Sequence, residues 1–412
     1  MSYMRMSIFS LVALWIIAYT SWGCQRPTGS NDMFSPIQFI GTAYQEEAID
    51  FAFLPDGYLL ITGHSNAPSL GQEQDVVFYL MDKDLRLTQT RTWGKTGADR
   101  AGEIRVTEDG SSWMAATLAT QDTQEMRLLK LPSNDDTLLT LNWMKHEGPF
   151  SQAVDILAGE DGDLIYLGNE LDAAGNSQGL VMFKIAPGGK LRWPESRSYR
   201  LEGQGLRATH IHEVPGGNGF VIVATTDAEV DTLLGQNLVL IRTDQNGIVI
   251  NQHTTGTRQS NFPVQLISWP DRKQFILVGY SELENGLNQS FLLTAGWDLS
   301  NRQIQTLKPR GFRAQSMIQR NESRWLLGGS YQENLGQDFD IGLIPLDVNL
   351  DSELQKADSV TTLGYENDEE LVALTPLAGQ AGHILILANI YFENGNQMIG
   401  LLKTDAHGNL IP

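Results

Sequence analysis

Six polar residues recur at one place along the chain. Asp50, Glu103, Asp155, His210, Gln265 and Gln315 each stand six positions before a turn residue: Asp56, Asp109, Asp161, Gly216, Asp271 and Asn321. The same count back from Gly379 reaches Ala373, which breaks the pattern. Brought together, such a ring can bind a cation, a sugar or a peptide. If Asp50, Glu103 and Asp155 converge, they can also act as acid and base on a glycosidic bond, which takes two close carboxylates. Like charges held close in a partly dry funnel repel, so at least one of the three carboxyls should titrate high. Two plainer readings compete. The residues can line a hydrated channel, or cap the backbone of a neighbouring repeat.

A second constellation is His210-Ile211-His212. Strand alternation puts both imidazoles on one face and Glu213 on the other. A metal needs a third ligand, so channel-lining polarity is the reading and no metal is expected. No cofactor is expected either. The single cysteine excludes a disulfide framework within the chain, a Cys-rich zinc site and an iron–sulfur cluster. No Walker loop, Gly-x-Ser-x-Gly elbow or His-Glu-x-x-His is present. The Asp-Gly pairs lack the spacing of a calcium loop and read as hairpin turns. Thr107–Trp113 is one residue short of a sialidase-type Asp box.

The elements that carry these residues form a repeat. Short apolar runs end at Asp82, Pro132, Pro187, Asp244, Asp298, Asp347 and Asp405, 49 to 58 residues apart. Each is preceded by a turn and a second apolar run, as in Pro55-Asp56-Gly57-Tyr58-Leu59-Leu60-Ile61-Thr62-Gly63. Apolar runs of four to six residues bounded by Gly and Asp are buried strands. Gln72 to Leu87 has helical propensity, but its counterparts all read as strand. Trp93, Trp143 and Trp193, spaced by 50, fall in the strand after the turn and read as packing. About four strands per unit is the content of a propeller blade. The expected fold is all-β, a seven-bladed β-propeller in which Ile37–Gly41 supplies the missing strand of the last blade and closes the ring. The first strand of each unit, with Asp50 and its counterparts, then lines the central channel.

The composition, 41% hydrophobic and 19% charged over 412 residues, is that of a folded protein. A single closed ring accounts for a chain this long without several domains. A net charge of −20 argues against a nucleic-acid partner.

The N-terminus carries Arg5, an apolar run from Ile8 to Tyr19, then Ser21-Trp22-Gly23-Cys24. The run is too short to span a membrane and suits a signal peptide. This arrangement resembles a bacterial lipoprotein signal, although Trp22 replaces the family's usual small residue. The resemblance implies cleavage before Cys24, lipidation (palmitate) of that residue and a membrane anchor. Gln25 leans the localisation toward the outer membrane of the cell envelope. The expected organisation is a signal peptide at 1–23, a lipidated Cys24 and tether at 24–36, and the propeller at 37–412.

The turns Arg242-Thr243-Asp244-Gln245-Asn246-Gly247 and Lys403-Thr404-Asp405-Ala406-His407-Gly408-Asn409, together with Pro55–Gly63, resemble a group of secreted Bacteroidota propellers. That resemblance implies fold and no shared chemistry. The leading functional expectation is therefore a non-catalytic, lipid-anchored binding or scaffold protein for a protein or glycan partner, more a binder than an enzyme. The alternatives are an enzyme with its site on the propeller axis (a glycan lyase or hydrolase, or a quinone-dependent dehydrogenase) and a component of a secretion or gliding machine.

Overall fold

The computed structural model describes residues 37–411, apart from 43, 67–73, 95–96, 121–122, 132–138, 142–150, 202–203, 227–234, 322–323, 349–353, 357–359, 365–366, 378–379, 381 and 406–407. Cys24, the tether and Trp143 lie outside the described residues, so the lipid signal is not addressed by the fold.

The described chain is all-β, with one 3-10 turn at Pro270–Arg272. A first sheet holds β2 (Glu46–Phe53), β3 (Leu59–Ser65), β4 (Asp75–Met81) and β5 (Leu87–Trp93) in that order. A second holds β6 (Arg100–Val106), β7 (Ser112–Ala119), β8 (Gln124–Leu131) and β9 (Leu139–Leu141). A third holds β10 (Ser151–Ala158), β11 (Leu164–Leu171), β12 (Ser177–Ile185) and β13 (Arg197–Tyr199). The fourth is β14 (Arg207–Glu213), β15 (Phe220–Thr226), β16 (Asn237–Thr243) and β17 (Val249–Thr255).

A nine-stranded sheet follows. It joins a meander of β18 (Asn261–Trp269), β19 (Gln274–Glu282), β20 (Asn288–Gly296) and β21 (Gln303–Thr306) to one of β22 (Phe312–Asn321), β23 (Arg324–Tyr331), β24 (Asp340–Val348), β25 (Leu354–Lys356) and β26 (Thr361–Leu363). The link is one parallel pair, Gln289 with Phe312. The last sheet holds β27 (Asp368–Pro376), β28 (Ile384–Tyr391) and β29 (Gln397–Thr404), and its fourth strand is β1 (Ile37–Ile40) from the other end of the chain. Ile37 lies opposite Leu402 and Ile40 opposite Ile399.

Burial follows from position in the sheet. The second and third strands are covered on both faces, so β3 and β4 are buried at every residue. Such strands need continuous apolar runs rather than alternation. The outer strand β5 alternates half-buried and exposed residues over most of its length. The acidic turns have a local cause. Asp244 Oδ1 accepts the backbone N–H groups of Asn246 and Ile248, both at 2.8 Å, and Gly247 takes φ 75°. An Asp before a residue in the left-handed region is the chemistry that such a turn requires.

The core consists of clusters between neighbouring sheets. One packs Phe51, Leu59, Ile61 and Tyr79 of the first sheet against Leu385, Leu387, Ile399 and Leu401 of the last. Trp193 lies in the bend between β12 and β13, not in a strand as its spacing suggested. It packs edge-on against Phe220 at 6.5 Å, under Arg197. A long irregular connection lets the chain bring this ring to the sheet interface before β13 begins. Trp93 keeps the expected place, at the end of β5.

Candidate functional site

The first strand of every meander carries a β-bulge at the same height. The pairing skips between Ala48 and Asp50, Ala101 and Ile104, Ala153 and Asp155, Ala208 and His210, Pro263 and Gln265, Ala314 and Ser316, and Leu371 and Ala373. A bulge re-aims the side chain beside it. These strands surround a cavity of about 570 Å³, and Asp50, Glu103, Asp155, His210, Gln265 and Gln315 all line it, with Ala373 at the seventh position.

One of the six is out of register. Asp50 lies opposite Thr62, His210 opposite Val223 and Gln265 opposite Val278, each just after the bulge. In β22 that place belongs to Ser316, opposite Gly328, and Gln315 is the bulged residue itself. Gln315 turns its amide back, and its Oε1 accepts a hydrogen bond from Ser330 Oγ at 2.7 Å.

The ring divides into two kinds of residue. Asp50, Asp155, Gln265 and Ser316 each cap the next inner strand. Their side-chain oxygens accept from the amides of Ile104 (2.8 Å), Ile211 (2.9 Å), Met317 (2.6 Å) and Leu374 (3.2 Å) respectively. The second oxygens of Asp50 and Asp155 accept from Phe51 and Ile156. These carboxylates therefore hold both oxygens on backbone, and the Asp155 side chain is only 2% exposed. Glu103 and His210 cap nothing. They face each other, His210 Nδ1 to Glu103 Oε1 at 3.7 Å, and remain open to the cavity.

Arg105 completes the group and was not singled out from the sequence. Its guanidinium bonds Glu103 and lies 3.5 Å from Asp155 Oδ1 and 3.7 Å from Asp50 Oδ2. The signal was present: two residues after Glu103 on a strand is the same face. Ala52 and Leu157 hold the same place after Asp50 and Asp155.

Protonation follows from these contacts. Burial first, and then the Glu103 charge, push Asp50 up to about 6 and Asp155 up to about 7. Burial also works to raise Glu103, but the Arg105 charge and the contacts with His210 and Asp155 together hold it far below the usual carboxylate range. Burial works to lower His210, and the hydrogen bond and charge of Glu103 outweigh it, so His210 titrates above an ordinary histidine. His212 goes the other way, lowered by burial. Its Nδ1 lies 2.8 Å from the carbonyl of Glu213. A carbonyl only accepts, so Nδ1 carries the proton and Nε2 offers a lone pair in the neutral ring.

Donor atoms of Glu103, Asp155 and His210 lie within 4.8 Å of one another, close enough to suggest a cation. Arg105 already supplies the positive charge there, and both Asp155 oxygens are engaged. The group is a charge-balanced cluster around a guanidinium rather than a metal centre.

No family model matches the chain, and no curated protein matches it in sequence. Solved structures do match in three dimensions. A polysaccharide lyase of a new family, an ulvan lyase, aligns with TM-score 0.57 at 10% identity over 90% of this chain and 97% of that one. The fold is β-propeller-like. A Synechocystis apocarotenoid oxygenase aligns with TM-score 0.51 at 10% identity over 93% and 94% of the two chains. A puromycin-hydrolysing peptidase of Mycobacterium tuberculosis aligns with TM-score 0.50 at 12% identity, over 90% of this chain and only 53% of its own length. The expectation of a non-catalytic scaffold is corrected by these neighbours: they are enzymes, a glycan-acting one foremost. In the ring only part of the polar lining is spent on the backbone, and His210, His212 and Arg105 also line the cavity.

Proposed function

We propose that the protein is a seven-bladed propeller, closed by β1, that cleaves a uronic-acid-containing polysaccharide by β-elimination in the cavity between its inner strands. Closure is supported by the packing of the last sheet on the first and by Asn389, which bonds both the N–H and the C=O of Ala48. The lyase reading is supported by the ulvan lyase likeness and, chiefly, by one observation. Two imidazoles on one strand are biased in opposite directions: the Glu103 carboxylate favours the proton on His210, and burial disfavours a charge on His212, whose Nδ1 meets a carbonyl.

Elimination needs a base at C5, an acid at the leaving oxygen and relief of the charge that builds on the C6 carboxylate. His212 Nε2 takes the C5 proton. The C5–H electrons form the C4–C5 double bond, the C4–O bond breaks, and His210 protonates the departing oxygen. Both histidines then re-equilibrate with water. General acid–base help of this kind contributes about 10²–10⁴-fold. Arg105 faces the carboxylate. Two-carboxylate hydrolysis is less well served, because it needs a free carboxylate on each side of the bond, whereas Asp50 and Asp155 are spent on backbone amides and Glu103 is paired with Arg105. The proposal includes a lipid on Cys24 that holds the enzyme at the outer membrane.

The test is incubation with a panel of polyuronates, reading the ultraviolet absorbance of the new C4–C5 double bond. Absorbance should rise with wild-type protein and not with His212→Ala. New reducing ends without absorbance would replace elimination with hydrolysis, and neither signal on any polyuronate would end the reading.

A further inference from the structure

One step up the inner strands, a second layer of side chains shares the face of the acid–base group. Arg100 pairs with Thr117, Gln152 with Asn169 and Arg207 with Thr225. Asp155 and His210 pair with Leu167 and Val223, two rungs along. Two rungs keep the same face and set the layers about 7 Å apart. Arg100, Gln152 and Arg207 therefore stand over Glu103, Asp155 and His210, strand for strand.

The charge of this rim is uneven. On the opposite side Arg313 is neutralised by Glu370 at 2.6 Å, and Glu47 faces His64 at 3.7 Å. Arg100 and Arg207 are exposed, and among the described residues neither meets a carboxylate. Arg207 donates instead to the Gln152 amide oxygen at 3.3 Å, which holds it over β10. Two uncompensated guanidinium groups on one arc of the rim are conspicuous in a chain of net charge −20. Beside them, Phe262 stacks on Tyr280 at 5.0 Å and 17°, an apolar flank that suits the C–H face of a sugar.

We infer that Arg100 and Arg207, with Gln152 on the strand between them and bonded to Arg207, form a subsite for an anionic group, carboxylate or sulfate, on the sugar adjoining the bond that is cut. The inference rests on the glycan-cleaving reading and deepens it: the preferred chain carries charge on consecutive sugars, not only on the one that loses its C5 proton. Arg suits the task because its planar fork matches both anions. Charge-assisted contacts here should be worth about tenfold or more in affinity.

The experiment uses the full chain and the R100Q/R207Q double variant. Both side chains are exposed, so the fold should survive, and R100K/R207K serves as the conservative control. Binding is read first, as retardation in gels containing polygalacturonate, its methyl ester, or a sulfated neutral glycan. Wild-type protein should be retarded by the charged polymers and pass freely through the ester. The double variant should lose about tenfold in affinity, with partial recovery in the lysine control. Retention by the sulfated glycan as well identifies charge, and retention by polygalacturonate alone identifies the carboxylate. Equal retardation of wild type and double variant overturns the subsite. Cleavage is read separately. Cleavage with an unchanged KM in the double variant would remove the subsite and leave the proposed activity standing. Charge-dependent binding without cleavage would keep the subsite and remove the activity.

Discussion

Asp155 Oδ2 accepts the backbone N–H of Ile211 at 2.9 Å, across the gap between one inner strand and the next. Its other oxygen accepts from Ile156 at 2.7 Å, so this carboxylate works as a buried splice between sheets. Asp155→Ala leaves both amides without a partner and should cost about 1–3 kcal/mol or more. The pH dependence is more telling. The folded carboxyl titrates near 7, above its unfolded value of about 3.9. The unfolded chain ionises first, so this group erodes stability as pH rises from about 4 to 7. Asp155→Asn cannot ionise. Its melting temperature relative to wild type should therefore climb between pH 4.5 and pH 7.5, and a flat difference would show that the carboxyl is not raised.

Closure of the ring makes an independent prediction. A chain starting at Pro36 keeps β1 and should melt close to full length. One starting at Thr42 strips a strand from the last sheet and uncovers the edge of β29, which Ile37 and Ile40 now cover. It should melt far lower, and Asn389→Ala should weaken the same seam by about 1–3 kcal/mol. Equal melting of the two truncations would mean that β1 does not close the fold.

The lipid proposal rests on Cys24. Cys24→Ser should take up no labelled palmitate and should leave the membrane fraction. Among the described residues no helix is long and apolar enough to cross a membrane. Retention of the unlabelled variant in membranes would contradict the anchor.

The rate should depend on pH as a bell. The base His212 is lowered, so the acid limb lies below the usual histidine value. The acid His210 is raised, so the alkaline limb lies above it. Glu103→Gln removes the charge that holds the His210 proton. Its alkaline limb should move to lower pH while the acid limb stays. Movement of the acid limb instead would reverse the two assignments.

Much of this site was legible in the sequence because the bulge repeats at a constant distance from the following hairpin. Four of the ring positions stand just after the bulge, where the count from the turn puts them, and Glu103 lies within the bulge next to Ile104. Gln315 also lines the cavity, but it stands one place before the equivalent position, Ser316, for a local reason. β22 runs on to Asn321, through a second bulge between Gln319 and Asn321, so the residue taken as the turn is still strand and the count starts one place early. Arg105 was passed over because it occupies a position that is apolar in Asp50's and Asp155's strands. The division of the ring into backbone caps and free groups was not legible at all. It depends on which side chain reaches the next strand's amide, and that is set by sheet-to-sheet spacing rather than residue type.

The most direct test is the mass of the cleavage products. A defined uronate oligosaccharide is digested, and its fragments are weighed by mass spectrometry. Elimination adds nothing across the bond, so the two fragment masses should sum to that of the parent, with the fragment from the reducing side of the cut, which carries the double bond at its new non-reducing end, lighter by one water than its saturated counterpart. Fragments whose masses sum to the parent plus one water would contradict elimination by His212 and His210.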